Sequence, residues 1–298
     1  MAADAPRIAW LLNLDADREL QDPERYRRTP RARLPDDGAA RITDLVAPDD
    51  VVLDEAGVSA EPLATDRVVQ CFCPTPSALA KIKALGLVPP DAPSLEVLRR
   101  VNDRAFCAEL GHGLPDSAFV FDMQALERQL VRTSPTGRWV IKRAFSFAGR
   151  EQRRVEGGIL DESTRGFCRR SFARAEGVQV EPWVERLADV SLHGYLSRTG
   201  QLTIGSAREQ HCDPFGRFVA VSTQLASLTN AESATLTADL KRTAAALATA
   251  GYFGPFGIDG FRYRLPDGSI TFNPRCEINA RFTMGYPRAL LVKALTQR

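Results

Sequence analysis

Two acids, an amide and an arginine near the C-terminal end have the types and the spacing to hold a cation. Asp259 lies in the middle of 257–264 (GIDGFRYR), and Glu277, Asn279 and Arg281 follow two residues apart in the run EINAR. The turn Pro266-Asp267-Gly268 predicts a hairpin of 257–264 with 269–272, followed by a separate short element at 276–278. Adjacent strands lie about 5 Å apart, and side chains of one parity share a face. Residues two apart on extended backbone point the same way. The spacing therefore brings Asp259, Glu277 and the amide oxygen of Asn279 together, with Arg281 beside them. Two carboxylates facing each other repel, and a cation between them is the natural remedy. Oxygen donors suit a hard ion such as Mg2+. The plainer reading is a surface hairpin with scattered acids.

These groups need a scaffold. The segments 7–14, 50–53 and 67–72 read as strands, and 77–85 as a helix stopped by Gly86. Strands alternating with a helix predict a small open α/β sheet. Three prolines in 87–94 mark a connection. Ser94 can cap a single helix running to Gly111. A short helix follows at 122–131, and the strand 138–143 should pair with 178–184. Strands are expected at 189–196 and 202–206. Leu236, Leu240, Ala244 and Leu247 fall on one face of a helix over 230–250. A terminal helix spans 287–295.

Composition narrows the function classes. Lys plus Arg number 39 against 37 Asp plus Glu, a net charge of +2, so no electrostatic case exists for nucleic acid or an anionic membrane. No run approaches the ~18 apolar residues of a membrane span, and the N-terminus reads as a first strand, not as a signal. Six scattered cysteines without a CxxC pair fit reduced thiols in the cytoplasm. Three histidines without ligand spacing make a zinc site improbable. Cys212 has no triad partner, which argues against nucleophilic catalysis there.

The block from Gly251 to Gly285, with its G-x-D strand, hairpin and E-I-N-A-R element, resembles the ATP-grasp superfamily of carboxylate–amine ligases. The resemblance covers 94–298, and 1–93 looks like the preATP-grasp domain that such enzymes carry. It implies an α/β (α+β) architecture in which lobe one, about 94–180, and lobe two, about 181–298, clasp the nucleotide. It also implies roles. Asp259, Glu277 and Asn279 would hold Mg2+. Lys142, ending the strand RWVIK, would reach the phosphates of ATP, and Arg104, where the family commonly has Lys or Arg, would also bind the nucleotide. SFAGRE (146–151) would cover them with Ser146 and Gly149, and Arg150 would close over triphosphate and carboxylate. The hinge segment VEPWV contributes Glu181 to the adenine amino group and the Val184 backbone to a ring nitrogen, with Trp183 as a hinge aromatic. Asp189 would hold the ribose, with Glu185 as competitor. Arg281 and Lys142 would stabilise developing charge. Eight arginines between 143 and 174 suggest a phosphate-closing loop or, equally, an exposed basic segment.

The resemblance implies ATP-dependent ligation through an acyl phosphate, with a small carboxylate and an amine as substrates. Rival readings are an ATP-grasp phosphotransferase and a non-catalytic ATP-binding protein. The expected partners are small molecules, with no nucleic acid and no membrane, and a homodimer is possible.

Overall fold

The computed structural model describes residues 6–27, 45–53, 67–111, 113–145, 152–213 and 218–296. They build three sheets. The first is small and parallel: β1 (Ile8–Leu11) lies between β2 (Val51–Val52) and β3 (Val68–Cys71). Both faces of β1 are buried. Ile8 and Trp10 pack on Phe282, Tyr286 and Leu291 from the C-terminal tail, while Ala9 and Leu11 pack toward Ala78 and Ile82 of α2 (Pro76–Ala84). The alternation follows the two-residue period of a strand. A short helix, α1 (Ala16–Gln21), follows β1 and was not anticipated from the sequence.

The predicted helix from 94 to 111 is two helices. Ser94 caps α3 (Leu95–Asn102) by accepting from Val97 N. Asp103 then takes extended backbone angles and caps α4 (Arg104–Glu109) by accepting from Ala105 N at 2.8 Å. A second capping acid restarts the helix on a new axis, and Arg104 N bonds to Ala144 O instead of to the preceding turn. Gly111 ends the pair with φ +66°.

The second sheet has the order β4 (Ala118–Val120), β7 (Val178–Pro182), β5 (Arg138–Arg143), β6 (Gln152–Glu156). On one face, Trp139, Ile141, Val178 and Val180 pack on Leu126 and Leu130 of α5 (Met123–Leu130) and on Phe167 of α6 (Glu162–Phe172). The opposite parity, carrying Val140, Lys142, Gln179 and Glu181, is left for the other face, and the pairing of β5 with β7 sets Val140 opposite Glu181. Over its described part, 152–172, the arginine-rich stretch forms β6 and α6.

The third sheet has the order β11 (Phe218–Leu225), β10 (Arg208–Cys212), β8 (Glu185–Leu196), β12 (Gly254–Arg264), β13 (Ile270–Asn279), with β9 (Leu202–Ile204) paired to β8. Its inner face packs Val190, Leu192, Ile258 and Ile278 against α3 and Leu236, Leu240, Ala244 and Leu247 of α7 (Asn230–Thr249). Thr229 and Glu232 form a reciprocal capping box at the start of α7. The segment 276–278 belongs to β13 itself, so the hairpin is longer than its turn suggests. Between Asp259 and Phe261 the register shifts by two residues, an even number that preserves the parity of both strands. Gly260 sits at that shift, and a Cβ there would lie 2.7 Å from Asn273 O and 2.9 Å from Pro274 O. The terminal helix, α8 (Arg288–Thr296), closes the chain.

Because both clashing atoms are backbone oxygens, Gly260→Ala is expected to lower the unfolding free energy by about 1–3 kcal/mol in denaturant titrations.

Candidate functional site

One cleft runs between the outer face of the second sheet and the outer face of the third. It encloses about 1270 Å³, with open solvent at its mouth included. Ten of the residues singled out in the sequence line it: Arg104, Lys142, Glu181, Trp183, Val184, Asp189, Asp259, Glu277, Asn279 and Arg281. Ser146, Gly149 and Arg150 lie outside the described residues.

The acid pair forms as the strand register dictates. Asp259 on β12 is directly opposite Glu277 on β13 and, on its other side, opposite Ser191 on β8. Asn279 differs from its expected pose. Its Nδ2 donates to Asp259 Oδ2 at 3.0 Å, and its oxygen accepts from Arg281 Nη1 at 2.6 Å instead of facing the gap between the acids. The neighbouring guanidinium takes the amide oxygen because a charged donor makes the stronger hydrogen bond. Gln210 on β10 donates to Asp259 Oδ1 at 2.7 Å. Arg104 Nη2 meets Glu277 Oε1 at 2.8 Å and Arg281 Nη2 meets Asp17 Oδ2 at 2.9 Å. Burial, and then the Glu277 charge, push the Asp259 carboxyl up to about 7. A pair of carboxylates strained in this way fits a hard divalent cation, and the Asn279 amide could add an oxygen only after releasing Arg281. Among the described residues there is no group of three or more His, Cys, Asp or Glu that could hold a metal, so a cation here would have two acids and an amide as its side-chain donors.

On the facing sheet Lys142 Nζ bonds to Glu181 Oε2, and Gln179 Nε2 donates to Glu181 Oε1 at 2.8 Å. The carboxylate assigned to a ring amino group thus already has two donors. At the hinge, Trp183 carries the Arg154 guanidinium 3.9 Å above its ring centroid. Asp189 lines the cleft and accepts from Arg186 Nη1 at 2.8 Å, whereas Glu185 is exposed and pairs with Arg264. Cys212 also lines the cleft, and burial, followed by Asp189, pushes its thiol up to about 12.

Several arginines of 143–174 are engaged elsewhere. Arg143 and Arg153 stack on Phe167 at 4.5 and 4.6 Å, Arg165 pairs with Glu127, and Arg169 with Glu162. Sequence reasoning missed Asp17, Gln210 and Arg186. Gln210 and Arg186 sit at strand positions whose parity could have placed them. Asp17 precedes its partner by more than 250 residues, and nothing local marks it.

The raised Asp259 gives a signed pH dependence. Its folded pKa lies above the ordinary carboxylate value, so its contribution to stability is complete below about pH 4 and is lost as pH rises through about 7. Asp259→Asn stays neutral, and is expected to become more stable than wild type across that window in metal-free buffer, as read by thermal unfolding at each pH.

No protein-family model matches the chain, and neither does any curated protein sequence. Solved structures do match. D-alanyl-alanine synthetase A from Vibrio cholerae superposes with a TM-score of 0.55 at 14% identity, over 98% of each chain. Pyruvate carboxylase from Rhizobium etli gives 0.55 at 13% identity, over 99% of this chain and 28% of the other. Biotin carboxylase from Campylobacter jejuni, in complex with β-γ-ATP, gives 0.51 at 14% identity, over 73% of this chain and 49% of the other. The fold thus recurs in enzymes of little sequence likeness, and the chain has the ATP-grasp fold.

Proposed function

We propose that the chain is an ATP-dependent ligase that activates a small carboxylate as an acyl phosphate and passes the acyl group to an amine. The observation that carries this reading is the register pair Asp259–Glu277, set with Asn279 in the same cleft as Lys142, Arg104 and Arg281. The likeness to D-alanyl-alanine synthetase A supports it, because it spans nearly the whole of both chains. In this reading 1–93, about 94–180 and about 181–298 are the N-terminal domain and the two lobes.

Asp259, Glu277 and Asn279 would hold Mg2+, which supplies neutralising charge for the phosphoryl group in transfer. Lys142 is a point cation on a flexible stem and would turn from Glu181 to a phosphate oxygen. Glu181 and the Val184 backbone would meet the adenine beside Trp183, and Asp189 would meet the ribose. Ser146, Gly149 and Arg150 are assigned to covering the phosphates and excluding water, which protects an acyl phosphate from hydrolysis. Arg104 and Arg281 place fixed positive charge where negative charge develops.

The bonds balance in two steps. An oxygen of the substrate carboxylate bonds to the γ-phosphorus of ATP as the bridging bond breaks and ADP leaves. The amine nitrogen then bonds to the acyl carbon, phosphate departs, and the nitrogen sheds a proton. Aligning an anion with an anion is most of the task, so the cleft's cations supply most of the rate.

Glu277→Ala is expected to cut ATP turnover by about a hundredfold or more while leaving the melting temperature near that of wild type, since one such group contributes about 3 kcal/mol to the barrier. A fully active variant would refute the assignment. A phosphate-release screen of carboxylates paired with amines, read by mass spectrometry, is expected to yield ADP, phosphate and an amide. A phosphoester product would instead make the chain a kinase.

A further inference from the structure

Asp17 lies outside the hairpin and outside both lobes, yet its carboxylate reaches Arg281, which lines the cleft. It occupies the first turn of α1, and its contact with Arg281 is buried, with 9% of the Asp17 side chain and 7% of the Arg281 side chain exposed. The helix that presents it is held in place from several sides. Leu20 packs in the core beside Leu98, Arg99 Nε donates to Leu20 O at 2.8 Å, and Gln21 Nε2 donates to Glu176 Oε2 at 3.0 Å. The Arg281 backbone is fixed as well. Its neighbour Phe282 donates its N–H to Phe72 O at 3.1 Å, and the Phe282 ring meets Trp10 edge-on at 5.1 Å.

The Arg281 side chain is steered by its two terminal nitrogens. Nη2 is given to Asp17 and Nη1 to the Asn279 oxygen, while Nε is buried with no hydrogen-bond partner among the described residues. Arg104 already holds Glu277 Oε1, and the Arg281 guanidinium, two residues from Asn279 and in the same cleft as Asp259 and Glu277, is a second built-in cation that could enter the place between those acids. With Asp17 present, its charge is balanced by a carboxylate that is not one of the pair. Without that anion the remaining carboxylates are the natural destination for the fork. The same series of contacts runs on to the acids: Arg281 holds the Asn279 oxygen, which leaves Asn279 Nδ2 on Asp259 Oδ2.

We propose that Asp17 is a positioning residue for the cation site: it tethers Arg281 away from Asp259 and Glu277 and thereby keeps the space between them open to a divalent ion. The proposal rests on the assignment of that site to a metal under the proposed function. Asp17 touches neither substrate nor ion. It acts through Arg281, and its effect is on metal affinity, not on the chemical step.

The test uses the full chain and Mn2+ alone, with free Mn2+ followed by electron paramagnetic resonance and no nucleotide present. Asp17→Asn is expected to weaken Mn2+ binding about ten- to hundredfold, the range typical of groups that orient metal ligands. In an Arg281→Met background the same substitution is expected to change nothing, because the tethered cation is gone. Glu19→Gln is the control on the same helix. Glu19 is buried and accepts from Ser77 N at 2.8 Å, so its loss is expected to lower the melting temperature and leave Mn2+ affinity intact. Unchanged Mn2+ affinity in Asp17→Asn would overturn the proposal and leave the metal site standing. An equal loss in the Arg281→Met background would overturn it too, by removing Arg281 from the path. Wild type that binds no Mn2+ would overturn the metal assignment and the proposal with it. Should Asp17→Asn fail to fold, Arg281→Met with and without it gives the reading, since both buried charges are then removed together.

Discussion

Mutual repulsion between Asp259 and Glu277 is the constraint around which the cleft is arranged. Sheet pairing forces the two carboxylates to face each other, and burial of Asp259 removes water that would screen the pair on its side. The surrounding groups answer that strain. Gln210 and Asn279 donate to Asp259, and Arg104 donates to Glu277. Charge alternates outward from there, with Arg281 and then Asp17 completing the set. The facing sheet repeats the pattern, as Lys142 and Glu181 neutralise one another. A nucleotide entering this cleft would exchange internal ion pairs for phosphate contacts, so its binding energy is a difference between two well-satisfied arrangements.

Much of this was legible in the sequence because strand parity is a strict rule. The spacing of Glu277, Asn279 and Arg281 by twos, with Asp259 across a turn, placed all four in one cleft without any tertiary information. The strand 138–143 was expected to pair with 178–184, and it pairs with 178–182. Local signals also read well where the chemistry is local. Ser94 caps its helix, Gly86 and Gly111 end theirs with φ +73° and +66°, and the face of Leu236, Leu240, Ala244 and Leu247 is buried.

What the sequence hid has physical reasons too. The break at Asp103 is invisible to periodicity, because the apolar pattern continues through it and only the bond from Arg104 N to Ala144 O redirects the chain. The pose of Asn279 depends on which neighbour competes for its oxygen, and that is decided by a side chain fixed from the other end of the molecule. The arginines at 143, 153, 165 and 169 carry charge that suggests phosphate, yet ring faces and acids of their own lobe engage them. Charge runs identify cations but not their partners.

The contact between the first sheet and the tail has a bearing on how the molecule is made. Ile8 and Trp10 bury themselves on Phe282, Tyr286 and Leu291. Asp50 accepts from Arg288 at the last helix as well as from Trp10 and the backbone of Ile8. A ribosome releases residues 8–11 long before 282–291, so the first sheet must wait with one apolar face uncovered until those later residues have been made. That interval is when the nascent polypeptide is most open to aggregation or to a chaperone, and it closes only with the arrival of the residues that also finish the cleft.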